Sequence, residues 1–262
     1  MLRRWTLLLA SLALMSGSAL AASTTTAAQA ASAPPVNVGG VMQAVGPASG
    51  LATHRGFRNA AQSTNWSGYA ATSGTYTSVS ASWTEPTGVC HSTAFSSFWV
   101  GLDGFNSGSV EQTGTDVDCS GSSPRYYAWY EMFPAFPVNF SNTVRPGDHL
   151  SASVTYKGSN NFSLVISDST QGWSHTISAS LAGAARSSAE VIAEAPSSSS
   201  GVLPLADFGT VNFSGSSANG SALGNGGGVT QIIMVDSSGR DKDTVSSLSG
   251  GTSFSATWQR SN

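Results

Sequence analysis

The chain has 262 residues, of which 40% are hydrophobic and only 10% charged, with a net charge of −3 at neutral pH. That acidic balance argues against a nucleic-acid surface, which needs basic residues to displace phosphate counterions. Once a leader and linker are set aside, about 200 residues remain, enough for one all-β domain with a sizeable core.

Met1–Ala21 reads as a signal peptide: Arg3-Arg4, an apolar run over 5–15, then Ala19-Leu20-Ala21 as a small-residue cleavage site. The apolar run is too short to span a bilayer, and nothing later reaches that length, so an exported, extracellular protein without a membrane anchor is expected. Residues 22–61 are Ala/Ser/Thr-rich, then Pro/Val/Gly-rich, and lack any folded periodicity, as in a largely disordered propeptide or linker. All 14 acidic residues lie after position 61, with seven basic ones, a net −7, whereas 22–61 carries Arg55, Arg58 and His54. A cationic prosegment on an anionic domain predicts electrostatic docking, and so an inhibitor within the same chain, that loosens as carboxylates protonate; a solvated basic linker is the alternative.

From 62 to 262, short runs rich in β-branched and aromatic residues alternate with Gly/Ser/Asn/Pro turns. That pattern predicts strands near 66–72, 77–84, 95–102, 109–114, 125–133, 148–157, 161–168, 172–180, 188–194, 205–213, 229–235 and 253–259, hence a sandwich or barrel. Residues 180–195 are the best rival for a helix, and 197–201 and 214–228 read as Ser/Gly loops. Alternation in 98–103 puts Phe98, Val100 and Leu102 on a core face and Trp99, Gly101 and Asp103 on the other. In 125–133, Tyr127, Trp129, Glu131 and Phe133 share a face. Aromatics mixed with carboxylates do not suit a dry core, because an unpaired buried carboxylate is costly. They suit a groove that grips an extended polymer. Cys90 and Cys119 in an exported chain predict a disulfide, worth roughly 3 kcal/mol through loop closure.

Most familiar chemistries fail. His54, His91, His149 and His175 have no metal-ligand spacing, and a single cysteine pair offers no metal site. Gly251-Thr252-Ser253 resembles a serine-nucleophile segment but lies in an alternating terminal strand without a matching His or Asp motif. Asp236-Ser237-Ser238-Gly239 resembles half of an aspartic-protease pair, yet that chemistry needs two carboxylates sharing a proton, and no second Asp-Ser/Thr-Gly exists. No metal or cofactor is expected.

Seven motifs remain, in order: Asn65-Trp66-Ser67-Gly68-Tyr69, Ser82-Trp83-Thr84-Glu85-Pro86, Trp99-Val100-Gly101-Leu102-Asp103-Gly104, Glu111-Gln112-Thr113-Gly114, Trp129-Tyr130-Glu131-Met132-Phe133-Pro134, Pro146-Gly147-Asp148 and Ala189-Glu190-Val191-Ile192-Ala193-Glu194. Over residues 62–260 their order and spacing resemble the glutamic peptidases, or eqolisins. The resemblance implies a secreted, acid-acting endopeptidase on a sandwich of two large curved antiparallel sheets, a lectin-like jelly roll with the substrate cleft on a concave face. It implies Gln112 and Glu194 as catalytic dyad, with Trp66, Trp99, Asp103, Asp116, Trp129 and Glu131 around the cleft. It implies polypeptide substrates, and a monomer is expected. Val191, Ala193, Ala195 and Met132-Phe133 depart from the family pattern, which bears on subsite preference. Read alone, Glu194 is a strand-end carboxylate with Glu190 as rival, and Gln112 a turn residue with Glu111 as rival pointing the other way. A non-catalytic carbohydrate- or protein-binding sandwich is the second reading, since aromatic grooves also bind glycans.

Overall fold

In a computed structural model, residues 42–43 and 60–262 are described. Their strands are, in chain order, β1 Ala60–Ser63, β2 Trp66–Ala71, β3 Ser78–Thr84, β4 Ala94–Leu102, β5 Val110–Ser120, β6 Ser123–Phe133, β7 Val138–Asn139, β8 His149–Gly158, β9 Asn161–Asp168, β10 Trp173–Ser180, β11 Ala189–Glu194, β12 Ser197–Ser198, β13 Gly201–Val202, β14 Thr210–Ala218, β15 Ser221–Ala222, β16 Thr230–Met234, β17 Asp243–Val245 and β18 Phe254–Trp258. Among the described residues the helical content is one 3₁₀ turn, Leu223–Asn225.

Two large sheets form. The first runs β1-β16-β2-β11-β4-β5-β6-β7, and the second β10-β9-β8-β3-β14-β18-β17. All ladders are antiparallel except β1 with β16. This is the expected all-β sandwich. Its core lies between the sheets, where Phe98, Val100 and Leu102 of β4 join Val154, Leu164, Ile166, Phe213 and Phe254 from the other layer. Each such buried side chain contributes roughly 1.5–3 kcal/mol by leaving water. The Cys90–Cys119 disulfide is present, fastening the loop before β4 to β5.

Differences from the sequence reading have local causes. Residues 180–188 form no helix, and the segment continues as β11. The strand expected at 205–213 begins at Thr210 and runs on through Ser214–Ala218, which reads as a loop. Leu205 and Phe208 are buried from an irregular stretch, so their apolar character reports burial rather than strand. Gly215 takes φ 61° where the β14–β3 register shifts, a bulge that lets a Ser/Gly run stay paired.

The expected signal peptide and most of 22–61 lie outside the described residues. Four residues of that segment are described. Ala60 and Ala61 open β1, and Met42 and Gln43 lie against the first sheet.

Candidate active site

β2, β11, β4, β5 and β6 are consecutive neighbours in the first sheet, and their outward-facing residues build one surface. Trp66, Ala70, Trp99, Val110, Trp129, Ile192 and Ile232 form an apolar cluster there, separate from the core and fully buried. Trp66 and Trp99 meet edge to face, with centroids 4.9 Å apart. Alternation delivers this set: Trp99 sits between two core-facing residues of β4, and Trp129 does the same on β6.

Two glycines let Trp99 lie flat. A Cβ on Gly101 would sit 2.8 Å from Trp99 Cζ3, and one on Gly114 would sit 2.5 Å from Trp99 Cβ and 2.2 Å from the Phe98 carbonyl oxygen. Gly114 is the register partner of Trp99. The indole therefore lies close to bare backbone and turns its Nε1 to Glu194 Oε2, 2.8 Å away. Asn65 Nδ2 donates to the other oxygen, Glu194 Oε1, at 3.3 Å. Glu194 is fully buried. Burial is the main influence on its acidity and pushes the carboxyl well above the ordinary range; the Trp99 and Asn65 hydrogen bonds pull the other way.

Gln112 occupies the same face of β5, opposite Gly101 on β4 and Glu131 on β6. Its Nε2 donates to Glu131 Oε2 at 2.7 Å, while its Oε1 is buried without a protein partner. Burial pushes Glu131 up to about 9. Glu194 lies four positions further along, opposite Ser97 of β4 and Trp66 of β2. Gln112 and Glu194 thus share a face without bonding to each other, and Glu131 is near enough to raise Glu194 by like charge.

The neighbouring positions sort cleanly. Asp116 Oδ1 accepts from Trp129 Nε1 at 2.8 Å, and Asp116 Oδ2 lies 3.0 Å from the Tyr127 hydroxyl. That hydroxyl also lies 2.8 Å from Asp118 Oδ2. One phenolic proton cannot serve both carboxylates, so the trio fits a protonated acid; burial raises Asp116, and Asp118 to about 6. Trp66 Nε1 is buried with no acceptor.

Asp103 is the residue the structure sets apart from this surface. β4 ends at Leu102, and Asp103 takes φ 72°, so the alternation that grouped it with Trp99 no longer applies. Its carboxylate instead accepts from Arg186 N at 2.7 Å and from Ser187 N at 2.8 Å, clamping the turn before β11. Glu190 lies opposite Gly101 and Ala70, and neither of its oxygens has a partner. The donors from Trp99 and Asn65 go to Glu194, which separates the two rivals. Glu111, by strand alternation, faces away from Gln112.

The rejected candidates lie elsewhere. Asp236 is salt-bridged to Arg240 at 2.6 Å, and Ser253 sits in the turn before β18. No cluster of metal-ligating side chains occurs among the described residues.

The sequence reading puts Tyr127 only on the groove face and gives Asn65 no role of its own, yet both bond directly to the carboxylates of the face. Asn65 heads the first motif, and its neighbour Trp66 is the register partner of Glu194, a pairing visible only once β2 and β11 are known to be adjacent. Asn65 also binds the described part of the N-terminal segment. Its Oδ1 accepts from Gln43 N at 2.8 Å, Thr64 N donates to Gln43 O at 3.0 Å, and Met42 N donates to Gly104 O at 3.0 Å. The Met42 side chain packs on the tryptophan cluster.

The two-sheet β-sandwich, with a carboxyl and a carboxamide on one buried sheet face, is consistent with a glutamic peptidase. The chain belongs to the Peptidase A4 family, whose pattern matches residues 64–258. It is 28% identical over 218 residues to aspergillopepsin-2 of Aspergillus niger, covering 73% of this chain and 77% of that protein. Scytalido-glutamic peptidase, solved with a transition-state analog inhibitor, matches with a TM-score of 0.65 at 27% identity, over 75% of this chain and 98% of its own. SCP-B, described as an eqolisin in complex with the tripeptide Ala-Ile-His, matches with a TM-score of 0.60 at 26% identity, over 75% and 98%. The protein is a hydrolase of peptide bonds.

Proposed function

We propose that the protein is an exported acid endopeptidase that hydrolyses polypeptides with Glu194 as general base and acid and Gln112 as oxyanion donor. The observation that carries this reading is the pair of hydrogen bonds fixing Glu194, from Trp99 Nε1 and Asn65 Nδ2, on the face that also bears Gln112. Glu194 as carboxylate removes a proton from water, which attacks the scissile carbonyl. Gln112 Nε2 donates to the developing oxyanion, a contribution of roughly 3–4 kcal/mol in comparable sites. Glu194 then returns the proton to the leaving amine, and the bond breaks. No metal or cofactor enters this scheme.

Ionisation of Glu194 is the demanding step, since burial holds it up. Water admitted with the substrate weakens that largest influence and leaves the two hydrogen bonds that favour the carboxylate. At acid pH Glu131 is protonated. Its hydroxyl can then donate to Gln112 Oε1 and free Nε2 for the oxyanion.

Acid operation is supported by the buried carboxyls as a set. Burial pushes Glu85 and Glu111 up to about 8, Glu131 to about 9 and Asp243 to about 7. A sandwich built around neutral acids tolerates low pH.

The Met1–Ala21 leader and a prosegment within 22–61 belong to this proposal, as does a monomeric enzyme. The prosegment acts as inhibitor: Met42 covers the tryptophans and Gln43 takes up Asn65, the residue that also holds Glu194. The test is hydrolysis of a denatured protein by secreted material at about pH 3, with Glu194→Gln alongside. Cleavage lost in the variant is expected; a fully active Glu194→Gln overturns the mechanism. Unprocessed precursor should be inactive at about pH 7, and a precursor equally active at both pH values overturns the inhibitory role.

A further inference from the structure

Glu194 has a second carboxyl for a neighbour. Across the first sheet, Glu194 of β11 stands opposite Ser97 of β4, Ser97 opposite Asp116 of β5, and Asp116 opposite Tyr127 of β6. Alternation turns all four outward. Glu194, Ser97 and Asp116 are fully buried, and Ser97 Oγ has no hydrogen-bond partner. Only a serine side chain stands between the two acids. Burial is the main influence that raises Glu194, and the like charge of Asp116 adds to it.

The two carboxyls are also matched in their donors. Glu194 accepts from Trp99 Nε1 at 2.8 Å and Asn65 Nδ2 at 3.3 Å, whereas Asp116 has Trp129 Nε1 at 2.8 Å and the Tyr127 hydroxyl at 3.0 Å. Two adjacent buried carboxyls do not both ionise readily, because the first charge holds the second proton more tightly. If Asp116 ionises, Glu194 keeps its proton and cannot take one from water. Something must make Asp116 the weaker acid.

Asp118 is placed to do so. The Tyr127 hydroxyl lies 2.8 Å from Asp118 Oδ2, closer than it lies to Asp116. A hydroxyl has one proton to donate. Given to Asp118, it leaves the Tyr127 oxygen as an acceptor facing Asp116, a contact that only a protonated Asp116 satisfies. Asp118 is the better seat for the charge. It is half-buried where Asp116 is wholly buried, it lies two residues further along β5 from the row of Glu194, and Arg125 stands opposite it on β6. Burial raises both acids, Asp118 to about 6 and Asp116 well above the ordinary range, and the Asp118 charge adds to the rise at Asp116. The titratable and charged groups around the row are Asp118 on β5, Arg125, Tyr127 and Glu131 on β6, and Glu194 on β11; β4 and β2 contribute Ser97 and Trp66, which do not titrate.

We propose that Asp118 is a positioning residue for the reaction: by accepting the Tyr127 hydrogen bond it keeps Asp116 in its acid form, so that Glu194 is the one of the two adjacent carboxyls that ionises. The inference rests on the peptidase reading above, with Glu194 as base. The test is the pH profile of kcat for the secreted enzyme, from about pH 3 to about pH 7, on a peptide blocked at both ends and free of titratable side chains. Asp118→Asn removes the charge, and its amide donates to the Tyr127 oxygen, so the phenolic proton turns to Asp116. Asp116 then ionises at lower pH, and the descending limb of the profile should move down by about one pH unit, in kcat rather than KM. Tyr127→Phe removes the donor that this change swings onto Asp116. In that background Asp118→Asn should move the limb much less, so that the double variant is more active near the limb than Asp118→Asn alone. Damage to packing predicts the opposite order. Should Asp118→Asn fold poorly, Arg125→Ala, at an exposed position, is expected to move the limb the same way by a smaller step. A limb unmoved by both Asp118→Asn and Arg125→Ala, or a double variant no better than Asp118→Asn, overturns the role of Asp118. That result leaves the peptidase reading standing while Glu194→Gln is inactive; an active Glu194→Gln overturns both.

Discussion

The outward faces of the two sheets are made from opposite materials. On the second sheet, burial alternates strictly along β3, β9 and β10, and serine and threonine fill many of the outward positions. Its contacts are typified by the Ser151 and Ser167 hydroxyls, 2.9 Å apart across β8 and β9. On the first sheet, β2 and β11 are buried at every position and β4 and β5 at nearly all. Its outer face carries Trp66, Trp99, Trp129, Gln112, Glu131, Asp116 and Glu194. A sheet needs one apolar face to make a sandwich. A second face of tryptophans and carboxyls adds nothing that a serine face would not, unless it is used. The residues proposed to act on substrate all lie on the tryptophan face and none on the serine face.

That contrast can be broken at several depths. The deepest is Glu194→Gln, expected to lower kcat on a denatured protein by roughly 10³-fold or more while circular dichroism stays unchanged. Gln112→Ala should cost roughly 10²–10³-fold in kcat. Next is Gly114→Ala, which forces a methyl into Trp99 and the Phe98 carbonyl oxygen. It should destabilise the fold by roughly 1–3 kcal/mol in urea unfolding and depress activity beyond that loss, because Trp99 can no longer hold Glu194.

The pH dependence of stability comes third. The buried carboxyls have folded pKa values raised above their unfolded ones, so in that window the unfolded chain binds fewer protons than the native one. Stability is therefore fully present below about pH 4 and declines as pH rises toward about 8, the reverse of ordinary acid denaturation. Glu85 is the cleanest probe, a core carboxyl accepting from Thr115 Oγ1 at 2.6 Å and Trp83 Nε1 at 3.3 Å. Thermal melts of Glu85→Gln, whose amide stays neutral, should fall less steeply between those pH values; an unchanged slope argues that Glu85 ionises freely in the native state.

Trp99→Phe is subtler. It keeps a ring in the cluster but removes the donor that lowers the Glu194 pKa, so the acid limb of the kcat profile should move to higher pH. The smallest effect belongs to the other sheet, where Ser151→Ala should change stability by less than about 0.5 kcal/mol and leave activity alone.

The sequence made one side of this comparison legible and blurred parts of the other. Alternation in Phe98–Leu102 and Tyr127–Phe133 separates core from outer face, because side chains on a strand must point to opposite sides. The same rule failed one residue later, at Asp103, where the backbone turns out of the strand. Propensity failed at Ser214–Ala218, where pairing to β3 outweighs poor strand formers. Charge in residues 22–61 predicts electrostatic docking, whereas the contacts of Met42 and Gln43 with the domain run through backbone and amide groups, which bear no charge.

By itself, the sequence determined an all-β chain, most of its strands, the cysteine pair and the order of motifs that carry Gln112 and Glu194. These are local or pairwise properties, set by periodicity, turn chemistry and spacing. Only the tertiary structure decided that Glu194 rather than Glu190 receives Trp99 and Asn65, and that Asp103 clamps a turn. Those outcomes depend on which strands become neighbours and in what register. Residues 65, 99 and 194 meet only because β2 and β4 flank β11, a pairing made by core burial across the whole sandwich and written in no single segment.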